Sequence, residues 1–270
     1  MSIQDVIKKV VPKRRPPRLL TVSAARFVTP NMIRVTFKGP ELEGINPDCA
    51  GGHCKLIFPK DGQRREDFAA DLEGGVGLTR RTYTVRHHRP DLFEMDIDFV
   101  AHGDEGPASA WAHRAKPGSI CGFAGPSQPK ITEYFADWYL VAADMSALPV
   151  AAATLEAMPR DAKGIALLEV TTEADIQEID MPDGIEFHWL IQPDPHVRSS
   201  AQEDFIRGMD WPDGRVQTCI AGESVTIRTI RDYLQNDRAL PPTDTYISGY
   251  WKIGLIEDQH QQQRREGLAG

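Results

Sequence analysis

A chain of 270 residues, 41% hydrophobic and 26% charged, is long enough for two ordinary domains with cores of their own. Its longest apolar runs, such as Trp138 to Ala143, fall far short of the ~20 residues that cross a bilayer, so a membrane span is excluded. A net charge of −8 argues against nucleic acid as the main partner.

The first residues, M-S-I-Q-D-V-I-K-K-V-V-P-K-R-R-P-P-R, lack the long apolar region and small-residue cleavage site of a secretory signal. A cytoplasmic protein is expected. The basic run Lys13, Arg14, Arg15 and Arg18 reads as a solvated lead-in to the first strand rather than a nucleic-acid arm. Arg18 to Val28 and Met32 to Lys38 alternate apolar with polar residues and are joined by Thr29, Pro30 and Asn31, the pattern of a hairpin. A Gly/Pro-rich connection leads to a strand over His53 to Pro59. A polar loop and a glycine-rich turn at Gly74, Gly75 and Gly77 precede the next strand.

That strand carries R-R-T-Y-T-V-R, residues 80 to 86. Alternation puts Arg81 and Tyr83 on one face and Thr84 on the other. The combination suits a flavin: the ring can lie against an isoalloxazine, the guanidinium can fork onto a phosphate, and the hydroxyl can bond the flavin edge. An edge strand with a structural tyrosine is the competing reading. Leu92 to Val100 alternates strictly and predicts a further strand, as does Gly118 to Pro126. Between them, H-G-D-E-G-P-A-S-A-W-A-H-R-A places Ala108, Trp111, Ala112 and Ala115 on one face of a helix that begins at Gly106 or Pro107. Its N-terminus, with Ser109 in the first turn, offers donors and a dipole to a pyrophosphate, or it merely closes a barrel end. Six short strands and one inserted helix predict a small closed antiparallel barrel.

From about residue 134 the pattern changes. Trp138 to Ala143 is a continuous apolar run, as expected of a strand buried on both faces of a parallel sheet. Runs at 165–171, 185–191, 216–221 and 245–249 alternate with helical stretches at 148–158, 201–209 and 226–234, which is βαβ order. The predicted fold is therefore two-domain α+β, a six-stranded barrel over residues 1–133 and a parallel α/β domain over 134–270 with a C-terminal helix. Sites are expected at the carboxyl ends of the parallel strands. The four cysteines, Cys49, Cys54, Cys121 and Cys219, have no zinc or iron–sulfur spacing and read as free thiols.

In this order, R-R-T-Y-T-V-R, D-F-V-A-H-G-D-E-G-P-A-S-A-W-A, G-F-A-G-P, A-A-D-M-S-A-L-P, L-L-E-V, A-G-E and G-Y-W-K-I-G resemble the siderophore-interacting proteins, relatives of the ferredoxin-reductase-like flavoproteins. The resemblance spans about Pro17 to Asp258. It implies an FAD-binding barrel, an NAD(P)H-binding-like domain, and cytoplasmic reduction of ferric siderophores that releases Fe(II). By position it implies that Arg81, Tyr83 and Thr84 hold the flavin and its phosphate, and that His102, Gly106, Ala108 and Ser109 contact the rest of FAD. Asp144 and Ser146 fall where the family shows a Gly-Asp-Glu-Thr-like string, and this chain reads Ala143, Asp144, Met145, Ser146 instead. With no G-x-G-x-x-G either, NAD(P)H is expected to bind weakly or to be replaced by ferredoxin. Glu223 and Ser224 are a second candidate for the dinucleotide cleft, or ordinary helix capping. Ferric siderophores are often anionic, and Lys55, Lys130 and Lys252 are candidates for a basic pocket like the triad of the similar family. No metal ligand is expected from the chain, and a monomer is expected. The alternatives are a general flavin or ferredoxin-type NAD(P)H reductase and a siderophore-binding carrier without catalysis.

Overall fold

A computed structural model describes residues 16–75, 77–101, 106–255 and 259. His102, the basic residues Lys13, Arg14 and Arg15, and most of the expected C-terminal helix lie outside the described residues.

The first half closes as expected into an antiparallel barrel. Its strands are β1 (Arg18–Thr29), β2 (Met32–Lys38), β3 (His53–Phe58), β4 (Thr79–Arg89), β5 (Glu94–Val100) and β6 (Ile120–Ala124). The order around the barrel is β1-β2-β5-β4-β3-β6. The period-two pattern sends Ile33, Val35, Phe37, Met95, Ile97 and Phe99 inward, where all are buried in one apolar cluster.

The opposite face of β2 and β5 carries a charged ladder in register: Lys38 with Glu94, Thr36 with Asp96, Arg34 with Asp98. Neighbouring β4 adds Arg86, His87 and Arg89, so Asp96 and Asp98 are only 4% and 5% exposed although they point away from the barrel interior. Burial pushes the Asp96 carboxyl up, but hydrogen bonds from His87, Arg89 and Thr36 outweigh it and hold the group well below the usual carboxylate range. A depressed carboxylate contributes stability that is full above its unfolded pKa of about 4 and is lost as pH falls further. Between about pH 5 and pH 2, wild type is therefore expected to lose stability faster than Asp96→Asn. Urea unfolding of both across that range checks it, and parallel curves would refute it.

A helix was not anticipated where α1 forms (Arg65–Gly74). The glycines read as a turn are its stop signal: Gly75 takes the left-handed conformation at φ 70° and donates to the Asp71 carbonyl. Only Phe68 and Leu72, four apart, anchor α1, on Ile57 at the barrel's outside. Two large apolar residues in ten leave little periodicity to read. Helix α2 (Pro107–Arg114) starts at the expected place, with Gly106 as N-cap.

The second half is a parallel sheet of β7 (Trp138–Ala143), β8 (Lys163–Val170), β9 (Gly184–Ile191), β10 (Val216–Glu223) and β11 (Thr245–Trp251), in the order β11-β10-β7-β8-β9. Helices α3 (Leu148–Ala157), α4 (Ala201–Gly208) and α5 (Ser224–Asn236) connect it. Val141 and Ala143 of β7 join one apolar cluster and Leu140 and Ala142 the other, so the central strand is covered on both faces, which explains its unbroken apolar run. The chain builds β7-β8-β9 outward in one direction and then returns to lay β10 on the other side of β7. That reversal makes the β7/β10 carboxyl ends the topological switch point.

The two halves are tied along β4 and the β1–β2 hairpin. Arg86 of β4 forks onto Glu156 of α3 at 2.6 and 2.7 Å. At the hairpin tip, Asn31 donates its backbone N–H and Nδ2 to the two oxygens of Asp175, at 2.9 and 2.8 Å. Met32, in the barrel strand β2, is buried within the apolar cluster of the α/β domain. Among the described residues no helix is long and apolar enough to cross a membrane.

Candidate functional site

The β3–β4 register sets the site: His53 pairs with Thr84, Cys54 with Tyr83, Lys55 with Thr82 and Leu56 with Arg81. Arg81 and Tyr83 therefore share the face of Cys54 and Leu56, and Thr82 and Thr84 share that of His53 and Lys55, as alternation requires. The Tyr83 ring packs at the barrel's apolar cluster, 4.4 Å from the Phe99 centroid. Phe99 lies 5.8 Å from Trp111 of α2, and Trp111 also stacks on Phe37 and packs on Phe58. Trp111 thus pins α2 into the barrel with Ala108 and Ser109 buried in its first turn. The N-cap of α2 is Gly106, which brings no side chain of its own, and Pro107 lacks an N–H.

These residues fit FAD by the chemistry of the set. The strand carries a guanidinium of the kind that suits phosphate, a ring of the kind that suits an isoalloxazine and a hydroxyl, and α2 offers a helix N-terminus with its dipole. The other candidate helix starts differ. Asp144, at the end of β7, accepts from the backbone N–H groups of Ser146 (2.9 Å) and Ala147 (3.2 Å) and from Ser146 Oγ (2.6 Å), in the turn that leads into α3. Glu223, at the end of β10, caps α5 by accepting from Val225 and Thr226 at 2.7 and 3.0 Å. Both strand-end carboxylates at the switch point are thus engaged with their own helices. The capping reading of Glu223 is the one that the geometry favours.

Asp144 is also the acceptor for Trp251 Nε1 at 2.7 Å. Burial raises its pKa, with the Ser146 and Trp251 hydrogen bonds opposing. The carboxylate sits directly over Gly222, where an added Cβ would lie 2.6 Å from Oδ2 and where φ is 153°. Gly222→Ala is therefore expected to displace Asp144 from Trp251 and to lower stability by about 1–3 kcal/mol. Thermal unfolding together with tryptophan fluorescence reads both effects, and an unchanged midpoint would refute the argument.

On the other face of β4, buried Thr84 is the cross-strand partner of His53 and neighbours Tyr250 of β11 across the seam between the halves. Tyr250 Oη lies 2.7 Å from His53 Nε2 and 2.9 Å from Tyr246 Oη, and Tyr246 Oη is 3.2 Å from the same imidazole nitrogen. Burial pushes the Tyr250 phenol well up. Sequence reasoning passed over His53, Tyr246, Tyr250 and Trp251. The usable signal was the pair Tyr246 and Tyr250, four apart on a strand and so on one face, but their partner is 197 residues away from Tyr250.

The three lysines lie in chain segments that lead to or from these contacts. Lys55 is exposed on the His53 face of β3, with its Nζ bonded to Thr82 Oγ1. Lys252 follows Tyr250 by two residues at the end of β11. Lys130 is exposed, three residues beyond Ser127, whose hydroxyl accepts from the His53 N–H at 3.0 Å. The four cysteines are free and buried.

Comparison with known proteins covers both halves. A family model described as "Siderophore-interacting FAD-binding domain" matches residues 21–130, and one described as "Siderophore-interacting protein" matches residues 136–254. The chain is 34% identical to the ferric vibriobactin reductase ViuB of Vibrio cholerae, over 92% of this chain and 94% of that protein. Among solved structures it is similar to a siderophore utilization protein from T. fusca, with TM-score 0.78 and 33% identity over 90% of this chain and 96% of the other. It is also similar to the siderophore-interacting protein SipS from Aeromonas hydrophila, with TM-score 0.79 and 28% identity over 94% and 99%.

Proposed function

The chain belongs to the siderophore-interacting protein family, and we propose that it is a cytoplasmic, monomeric, FAD-dependent ferric-siderophore reductase. The observation that carries this reading is the convergence of the Arg81-Tyr83-Thr84 strand with the seam between the domains, in a chain 34% identical to a ferric reductase along 92% of its length. FAD supplies the conversion of donor electrons into single-electron steps to Fe(III). Fe(II) binds hard oxygen ligands less strongly, so release follows reduction.

The chain's own residues then have defined tasks. Arg81 and the N-terminus of α2 bind phosphate. Tyr83 orients the ring, and Thr84 bonds its edge at the seam. Gly106 and the buried Ala108 and Ser109 allow close approach of the cofactor, and His102 joins them by position. The His53–Tyr250 contact brings β3 and β11 together, which supports a pocket that Lys55 and Lys252 reach from the two domains and Lys130 from the segment after Ser127. A local positive field from three lysines draws an anionic ferric chelate even in a chain of net charge −8.

Electrons come from NAD(P)H or a ferredoxin. The engagement of Asp144 and Glu223 with their own helices supports a donor that needs no pyrophosphate grip there, either a loosely held nicotinamide or a ferredoxin. Anaerobic reduction by NADH, NADPH and reduced ferredoxin in parallel separates these.

The test of the function is to reduce the purified flavoprotein with light, add a ferric siderophore, and follow flavin reoxidation beside a ferrous-iron trap. Quick reoxidation with ferrous iron appearing is the expected result, and reduced flavin persisting beside the ferric complex would overturn it. Lys252→Ala should slow siderophore reduction about tenfold, with a small neutral acceptor unaffected. Equal loss with both acceptors would remove Lys252 from the pocket.

A further inference from the structure

At the amino ends of β10 and β11, the pole opposite the strand-end carboxylates Asp144 and Glu223, Trp211, Arg215, Arg238, Thr243 and Asp244 line a cavity of about 430 Å³. The reductase reading gives it no task. Among the described residues, the arginines that lie over aromatic rings gather here: Arg207 at 4.5 Å from the Tyr233 centroid, Arg215 at 4.0 Å from Phe135 and Arg238 at 4.9 Å from Trp211. Each ring covers a guanidinium face and leaves its edge for hydrogen bonds.

For two of the three, a carboxylate takes that edge. Arg215 donates Nε and Nη2 to Asp244 at 2.7 and 2.8 Å, and Arg207 donates Nε to Glu203 at 3.0 Å. Arg238 differs. It donates Nε to Tyr233 Oη at 2.7 Å, and among the described residues its Nη1 and Nη2 have no hydrogen-bond partner and no carboxylate pairs with it. From this open edge in the wall of a cavity we propose that Arg238 and Arg215 form a binding site for a small organic oxyanion, a phosphate ester or a polycarboxylate. The proposal stands apart from the FAD reading.

A guanidinium recognises phosphate or carboxylate through two parallel N–H groups. With Nε held by Tyr233, Nη1 and Nη2 are the pair that remains, and the rings of Trp211 and Tyr233 fix the plane in advance, so little rotamer freedom is lost on binding. Charge agrees with this. Two guanidiniums line the cavity against the one carboxylate of Asp244, which Arg215 already holds at two points. Asp213 and Asp237, beside the lining residues Gly214 and Arg238 in sequence, are exposed and act through water and salt. The volume admits more than a bare oxyanion, which favours an organic one. The turn that carries Arg238 is held too: the N–H groups of Arg238 and Leu240 donate to the carbonyls of Tyr233 and Leu234 at 3.2 and 3.0 Å. Between them Ala239 takes φ 54°, where glycine is the usual residue past a helix end.

The experiment titrates the whole chain, with FAD in excess, by calorimetry at low salt with inorganic phosphate, AMP and citrate in turn. Saturable binding of one anion per chain is expected from at least one of the three, with a dissociation constant at or below about 1 mM. Arg238→Gln keeps a stem against Trp211 and loses charge and fork, so it should weaken binding about tenfold or more, and Arg238→Lys should fall between it and wild type. Arg160→Gln removes an exposed guanidinium elsewhere on the domain and should leave the affinity unchanged. Thermal midpoints measured without anion establish that each variant is folded. The indole N–H resonance of Trp211, assigned with Trp211→Phe, should shift along the same titration curve. Binding of phosphate and AMP without citrate would mark a phosphate ester as the ligand, and citrate alone a polycarboxylate. No saturable binding from any of the three would overturn the site, as would equal weakening in Arg238→Gln and Arg160→Gln or a Trp211 resonance that stays fixed at saturation.

Discussion

Asp98→Ala is expected to destabilise the protein by about 3–5 kcal/mol, the cost of stripping the partner from a buried charge. Asp98 holds Arg34 in a two-point pair at 2.7 and 2.8 Å, with the Arg86 guanidinium 4.0 Å away. The side chains of Asp98 and Arg86 are 2% and 5% exposed. Removing the carboxylate would take from Arg34 its two-point partner and leave it near Arg86, with Asp96 and Glu156 acting on Arg34 only at longer range. Asp98→Asn should cost less, because its side-chain oxygen still accepts one bond. Arg34→Leu combined with Asp98→Leu should recover most of the loss, since Arg86 keeps its fork to Glu156 and no buried charge is left alone. Urea unfolding of the three variants decides. A loss under about 1 kcal/mol for Asp98→Ala would mean that water reaches the arginines.

Arg81→Ala is expected to weaken FAD binding by about 10- to 150-fold, the equivalent of one charge-assisted hydrogen-bonding group at about 1.5–3 kcal/mol. The fold should tolerate the change. Arg81 is half-exposed, and one of its bonds is to the carbonyl of its own neighbour Arg80 at 2.9 Å. Arg81→Lys should restore part of the affinity, because a lysine keeps the charge and loses the planar fork. Titration of cofactor-free protein with FAD, read by flavin fluorescence, measures this directly. Equal dissociation constants for wild type and Arg81→Ala would move the phosphate grip elsewhere, with the α2 N-terminus first in line.

Much of this was readable from residue order because the elements state their own periods. Alternation in β2 and β5 and the unbroken apolar run of β7 each reflect how many faces of a strand are covered. Helix α1 escaped because Phe68 and Leu72 are its only apolar anchors. The strand expected from Leu92 begins instead at Glu94, after a turn in which Phe93 takes φ 50°, a conformation that its side chain does not announce. At the candidate site, Arg81, Tyr83, Thr84 and the start of α2 were legible because each chemistry is carried by a short local string. Asp144 and Glu223 were ambiguous, since a carboxylate before a helix can serve a ligand or the helix, and only the hydrogen bonds distinguish the two. His53 and Tyr250 were out of reach: two polar residues on different domains carry no mutual signal until β3 and β11 meet.

Met32 bears on how the molecule comes apart. It belongs to the barrel by hydrogen bonding, through its pairing with Val100 of β5, and to the α/β domain by packing. A fragment ending near residue 133 would leave that side chain in water, a cost of about 1.5–3 kcal/mol, and would orphan Arg86 from Glu156 as well. The halves are consequently not modular in the way that their sequence patterns suggest. Calorimetry of the whole chain should show a single cooperative transition, and grafting this barrel onto another reductase would require carrying over the α3 surface that shelters it.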